Sequence, residues 1–222
     1  YASAGQSLNL NWKWEDIAKH LKINVRDSMS ALDIKNNLLG VCDQMYLFEP
    51  GDDTTVCVLK AVKPKKVKLF TGPPSHKEDD AKVVHELMNN ADIRIVSGGT
   101  TSQIVARELG VEVKSSTEIY DKEVPPIAYI QGVDLVTEGV LTLSKTIDRL
   151  KSLSKSLDSD IFKAKDGASQ MAKLLYSASH IKLLVGRSLN IANAESSFQR
   201  DLELRLHVVG ELKKILVKLG KI

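Results

Sequence analysis

Beyond Lys63 the chain repeats one pattern: a short apolar, β-branched run closed by glycine, then a stretch with helical spacing. The apolar runs cover residues 67–71, 93–96, 127–130 and 181–185, and their ends read Thr71-Gly72, Ser97-Gly98-Gly99-Thr100, Gln131-Gly132 and Gly186-Arg187. Runs of this length rich in Val and Ile read as buried strands. Helical patterns fall at 78–89, 103–109, 134–150, 166–178 and 202–219, the fourth opened by Asp166 as a cap. Strands alternating with helices of ten or more residues predict an α/β domain: a mostly parallel sheet covered by helices. Residues 111–113 read as a further short strand, 117–124 as irregular and 151–160 as a Ser- and Lys-rich connection.

In such sheets ligands sit beyond the carboxyl ends of the strands, where the strand order reverses. All four glycine-bearing ends are therefore expected to converge, with Arg187 as the fixed cation among them. The richest is Ser97-Gly98-Gly99-Thr100-Thr101-Ser102, set between a strand and a helix. Two glycines allow close approach of backbone to another group. Unpaired N–H groups at a helix start attract anions, and three hydroxyls can add hydrogen bonds. Ser97, Gly98, Gly99, Thr100, Thr101, Ser102 and Arg187 are the candidate anion site. The same residues also suit a tight connection that binds nothing, with Thr100 or Thr101 as N-cap. Neither the G-x-G-x-x-G of dinucleotide folds nor the Gly-Lys-Ser/Thr of a P-loop is present.

Composition narrows the classes further. With 222 residues, 43 % hydrophobic and 27 % charged, the chain has the make-up of an ordinary globular protein with one large domain or two small ones. A net charge of +3 does not call for a nucleic-acid partner, and the cluster Lys60, Lys63, Lys65, Lys66 and Lys68 reads as a solvated linker and strand edge. Cys42 and Cys57 make no disulfide framework, and the five histidines show no ligand spacing, so a reducing cytoplasm is the expected location. No apolar run reaches the ~20 residues that span a bilayer. The first residue is Tyr1, not Met, so a longer parent is expected.

Residues 1–63 have a different character. Helical patterns at 12–21 and 28–46 are followed by the turn Glu49-Pro50-Gly51-Asp52-Asp53 and a strand pattern at 54–62. Two helices and one strand make a poor core alone, so this small α+β segment is expected to need a partner surface: the α/β domain, a further part of the parent, or a second copy in a homo-oligomer.

Gly51-Asp52-Asp53-Thr54-Thr55-Val56-Cys57-Val58-Leu59 resembles the last motif of metal-dependent serine/threonine protein phosphatases of the stage II sporulation protein E type. Ala4-Gly5-Gln6-Ser7-Leu8-Asn9 with Trp12-Lys13-Trp14 is similar to the segment after that family's Asp-Gly metal motif. Leu69-Phe70-Thr71-Gly72-Pro73-Pro74, the glycine turn with Ala106-Arg107-Glu108-Leu109-Gly110, and Gly132-Val133-Asp134-Leu135-Val136-Thr137-Glu138-Gly139 resemble a C-terminal extension of some bacterial members. The resemblance implies that residues 1–63 are the end of a phosphatase domain and 64–222 a C-terminal α/β domain. It implies a parent that hydrolyses phosphoproteins in signalling with two Mn²⁺ or Mg²⁺ ions. Asp52 would be one metal ligand and Asp53 its support. The other ligands of that family lie before the residues corresponding to Tyr1, and one carboxylate cannot build a two-ion site, so this chain alone is expected to be inactive.

Two functions from different classes stay open. One is a phosphatase piece whose α/β domain senses a small anionic ligand; the other is a stand-alone nucleotide- or phosphometabolite-binding α/β protein. No Ser-His-Asp or Cys-His set can be placed in the expected cleft. Asp134 and Glu138, four apart on the expected 134–150 helix, read as a solvated first turn.

Overall fold

The computed structural model describes residues 12–49, 53–153, 163–188 and 195–222, with side chains of the last stretch described from 200 onward. The chain divides into two compact units, Tyr1–Lys63 and Pro64–Ile222.

In the first unit, helix α1 spans Trp14–Asn24 and α2 spans Ala31–Met45. Helix α2 opens with a capping box: Asp33 N–H donates to Ser30 Oγ (3.1 Å), and Asp33 Oδ2 accepts from Ser30 N–H (2.8 Å). The strand expected at 54–62 does not form; the segment joins no ladder among the described residues. Thr54, Val56 and Val58 are half-buried while Thr55, Cys57 and Leu59 are exposed, so the period-2 pattern is real. A pattern becomes a strand only when a neighbour supplies the ladder, and among the described residues this unit has no other strand. Cys42 and Cys57 are free thiols.

The second unit is an α/β domain with a six-stranded, mostly parallel sheet in the order β3-β4-β5-β2-β1-β6. The strands are β1 (Lys66–Thr71), β2 (Ile93–Ser97), β3 (Lys114–Ser115), β4 (Ala128–Tyr129), β5 (Leu135–Thr137) and β6 (His180–Val185). The helices are α3 (Asp80–Met88), α4 (Gly99–Leu109), α5 (Val140–Leu153), α6 (Gly167–Ser177) and α7 (Glu195–Lys218). Strands β5, β2, β1 and β6 are mutually parallel, whereas β4 runs antiparallel to β5.

The pleat of β1 explains the three layers. Val67 and Leu69 point to one face and join Leu143, Leu150, Met171, Leu175 and Leu212 of α5, α6 and α7. Phe70 points to the other and joins Val84, Leu87 and Val105 of α3 and α4. Lys68 shares that second face, is buried, and is not the solvated lysine its sequence neighbours suggest. Its Nζ donates to the carbonyls of Glu86 (2.5 Å) and Asn89 (2.6 Å) and to Glu86 Oε1 (2.6 Å), satisfying the C-terminal end of α3.

Three further expectations need correcting. The helix expected over 134–150 begins at Val140, because Leu135–Thr137 is strand β5, paired with Ile95–Ser97. Asp134 therefore sits at the start of a strand, where its Oδ2 accepts from Arg94 N–H (2.7 Å), and shares no helix face with Glu138. The strand expected at 111–113 lies at Lys114–Ser115. Finally, because β4 is antiparallel, Gln131-Gly132 points to the opposite edge of the sheet from the other three ends. The end of β5, Glu138-Gly139, takes its place.

Candidate functional site

Glycine sets the geometry at the carboxyl end of β2. Gly98 has φ 121 and ψ 134, a conformation that favours glycine, and it links β2 directly to α4. Its N–H donates to Thr137 O (2.9 Å) and its carbonyl accepts both Ser102 N–H and Ser102 Oγ (2.8 Å each). Helix α4 thus starts at Gly99, earlier than a Thr100 or Thr101 cap would allow, and its N-cap carries no capping side chain. The N–H groups of Gly99, Thr100 and Thr101 occupy the first turn, where a helix offers them no carbonyl.

These groups line a cleft of about 490 Å³ together with Thr71, Gly72 and Pro73 from the end of β1 and Glu138, Gly139 and Val140 from the end of β5. Pro125 and Leu141 add apolar wall, and Asp201, Leu204 and Arg205 of α7 close one side. Gly72 N–H donates to the buried Thr101 Oγ1 (2.9 Å), tying the β1 end to α4. Thr137 Oγ1 donates to Ser97 Oγ (3.2 Å), tying β5 to β2 beneath the turn.

Of the sequence-derived candidates, Ser97, Gly98, Gly99, Thr100 and Thr101 line the cleft. Ser102 is buried within α4 and spends its hydroxyl on Gly98 O. Arg187 does not close this cleft; it is exposed and lines a separate groove beyond β6. The cation here is Arg205, whose side chain lies across Gly72: a Cβ on Gly72 would meet Nη1 at 2.3 Å. Arg205 Nη1 is buried with no hydrogen-bond partner among the described residues. Burial pushes the guanidinium pKa down, against the opposing pull of Asp201. A guanidinium nonetheless stays charged, so its unmet donor favours an anion. No sequence signal marks Arg205, which arrives on a helix about a hundred residues after the glycine turn.

The reversal of strand order falls between β1 and β6, yet the cleft lies to one side of it. Gly186 explains the offset: a Cβ there would lie 2.0 Å from Pro73 O and 2.1 Å from Gly72 O. Gly186 N–H donates to Thr71 O (2.9 Å) and Ser188 N–H to Pro73 O (3.1 Å), so backbone seals the β1–β6 crevice. Arg205 covers the seal, and the open space is displaced over the ends of β1, β2 and β5.

The cleft's ionisable side chains are Glu138, Asp201 and Arg205, with no His, Cys or Lys among the lining residues. Ser97 Oγ donates weakly to Gly139 O (3.5 Å) and has no adjacent base. Among the described lining residues no nucleophile–base pair is present. Asp52 lies outside the described residues; Asp53 is exposed. Among the described residues no three His, Cys, Asp or Glu side chains converge to hold a metal. They do not by themselves make the carboxylate cluster of a two-ion phosphatase. Nor is any described helix long and apolar enough to cross a membrane.

Comparison with known protein families, with curated proteins and with solved structures finds no match to this chain.

Proposed function

We propose that Pro64–Ile222 is a binding domain for a small anionic ligand, held in the cleft at the start of α4. The carrying observation is the pairing of a helix start without a capping side chain with the buried, unmet Nη1 of Arg205. The helix end contributes ~0.3 to 1 kcal/mol toward an anion, and charge-assisted hydrogen bonds add to that. A volume of about 490 Å³ accommodates more than a bare phosphate. Leu141 and Leu204 supply apolar wall for the remainder of the ligand, and Glu138 and Asp201 can accept from its hydroxyl or amino groups. A phosphorylated metabolite or nucleotide fits this donor set.

In the same reading the domain is the sensor of a larger signalling phosphatase of the stage II sporulation protein E type. Gly51 to Leu59 supports this by its sequence alone. The alternating segment 54–62, which joins no ladder among the described residues, is consistent with a strand whose ladder partner is supplied elsewhere. Hydrolysis of phosphoproteins with Mn²⁺ or Mg²⁺ would belong to that parent.

The test is a thermal-shift panel of phosphate-bearing metabolites, nucleotides and dicarboxylates on wild type and Arg205→Gln. A rise in Tm with phosphate-bearing compounds that Arg205→Gln removes supports the reading. Equal responses in both proteins, or none, would overturn it.

A further inference from the structure

We infer that the outer edge of β6 is a docking strand for an extended acidic peptide of another protein. Strand β6 ends the sheet order and, among the described residues, pairs only with β1. In a parallel strand alternate residues turn both backbone groups to the same side. His180 and Gly186 donate toward β1, so Ile181, Leu183 and Val185 face outward. The first of these is already engaged: Ile222 N–H donates to Ser179 O (3.2 Å) and Ile222 O accepts from Ile181 N–H (2.7 Å). That is the hydrogen-bond pattern of a parallel bridge onto His180, made by a single residue. Leu183 and Val185 continue the same edge with no ladder partner among the described residues.

Grooves flank the edge on both faces of the sheet, about 850 Å³ toward α3 and about 680 Å³ toward α7. The side chains of an added strand would alternate between these two grooves. The α7 groove is floored by apolar side chains, including exposed Leu206 and Val217. Its charged side chains are Lys182, Arg187, Lys213 and Lys221, with no acid among them. Lys182 turns its ammonium to Glu86 on the other face (2.9 Å) and Lys221 Nζ donates to Tyr176 O (2.5 Å), while Arg187 and Lys213 have no carboxylate partner among the described residues. Arg187 and Lys213 on this groove disfavour a second copy of this chain edge to edge and favour acidic residues between apolar ones. Pairing supplies affinity through main-chain hydrogen bonds; the cations select the partner.

The test uses the full 222-residue chain, labelled with ¹⁵N, and the capped peptide Asp-Val-Glu-Val-Asp-Val-Glu. Controls are its Lys-for-acid counterpart and a version N-methylated at alternate residues. The acidic peptide is expected to slow amide exchange at Leu183 and Val185. It should bind about tenfold more tightly than the basic one at low salt, with Lys213→Glu erasing most of the difference. Equal binding of the acidic, basic and N-methylated peptides overturns the inference. So does protection of Leu183 and Val185 without peptide, whether constant (the chain covers its own edge) or rising with protein concentration (a second copy does).

Discussion

Replacing Gly186 by Ala probes the contact that seals the β1–β6 crevice. The new methyl would lie 2.0 Å from Pro73 O, 2.1 Å from Gly72 O and 2.3 Å from Pro73 C, all of them backbone. Ordinary contact begins near 3.4 Å, so the strand ends must part by about 1.4 Å. That movement breaks or stretches Gly186 N–H to Thr71 O and Ser188 N–H to Pro73 O. Overpacking of this kind costs ~1 to 3 kcal/mol, and each lost hydrogen bond adds ~0.5 to 1.5 kcal/mol. With both bonds lost, a loss of about 2 to 6 kcal/mol is expected, which for a domain of this size lowers Tm by roughly 4 to 24 °C. Urea unfolding followed by far-UV circular dichroism measures it. The control is Gly99→Ala, where nothing lies within 4 Å of the added Cβ. Stability of Gly186→Ala within about 0.5 kcal/mol of wild type would refute the sealed-crevice geometry.

Other outcomes follow from the same structure. Lys68 and Lys182 hold the Glu86 carboxylate down at about 2 from an ordinary 4.5. A depressed carboxylate stabilises the fold above its unfolded pKa, so its contribution is full above about pH 4.5 and lost as pH falls toward 2. Glu86→Gln should flatten acid denaturation in that window; an unchanged acid limb in urea titrations would contradict the ion pairs. Gly99→Val should leave the fold intact, because the position is open, yet abolish metabolite-induced thermal shifts by narrowing access to the α4 start. With Mn²⁺ added, the chain should show no turnover of p-nitrophenyl phosphate; turnover lost in Asp52→Ala would show that it carries a working metal site.

Much of the α/β domain is legible in the sequence because β1, β2 and β6 are long enough to show their β-branched pattern against flanking glycine. Asp166 likewise marks the start of α6, its Oδ1 accepting from Ser169 N–H (2.9 Å). Strand β5 is hidden because Leu135, Val136, Val140, Leu141 and Leu143 together mimic one apolar helical stripe. A three-residue strand is too short to display its own period. The reversed direction of β4 has a signal that propensity overlooks: the irregular stretch 117–124 holds no helix, and a parallel crossover needs one. Segment 54–62 shows the converse, a correct alternation with no neighbour among the described residues to make it a strand. The glycine turn is readable as an anion site because its chemistry is local. Its cation is not, since Arg205 is brought there by the docking of α7 alone.

The most direct measurement of the central claim is a ¹⁵N-resolved titration of the chain with inorganic phosphate, followed on wild type and Arg205→Gln. Saturable shifts of the Gly99, Thr100 and Thr101 amides, weakened at least several-fold in Arg205→Gln, are the expected result. Shifts confined to exposed lysines, or α4 amides that do not move, would contradict it.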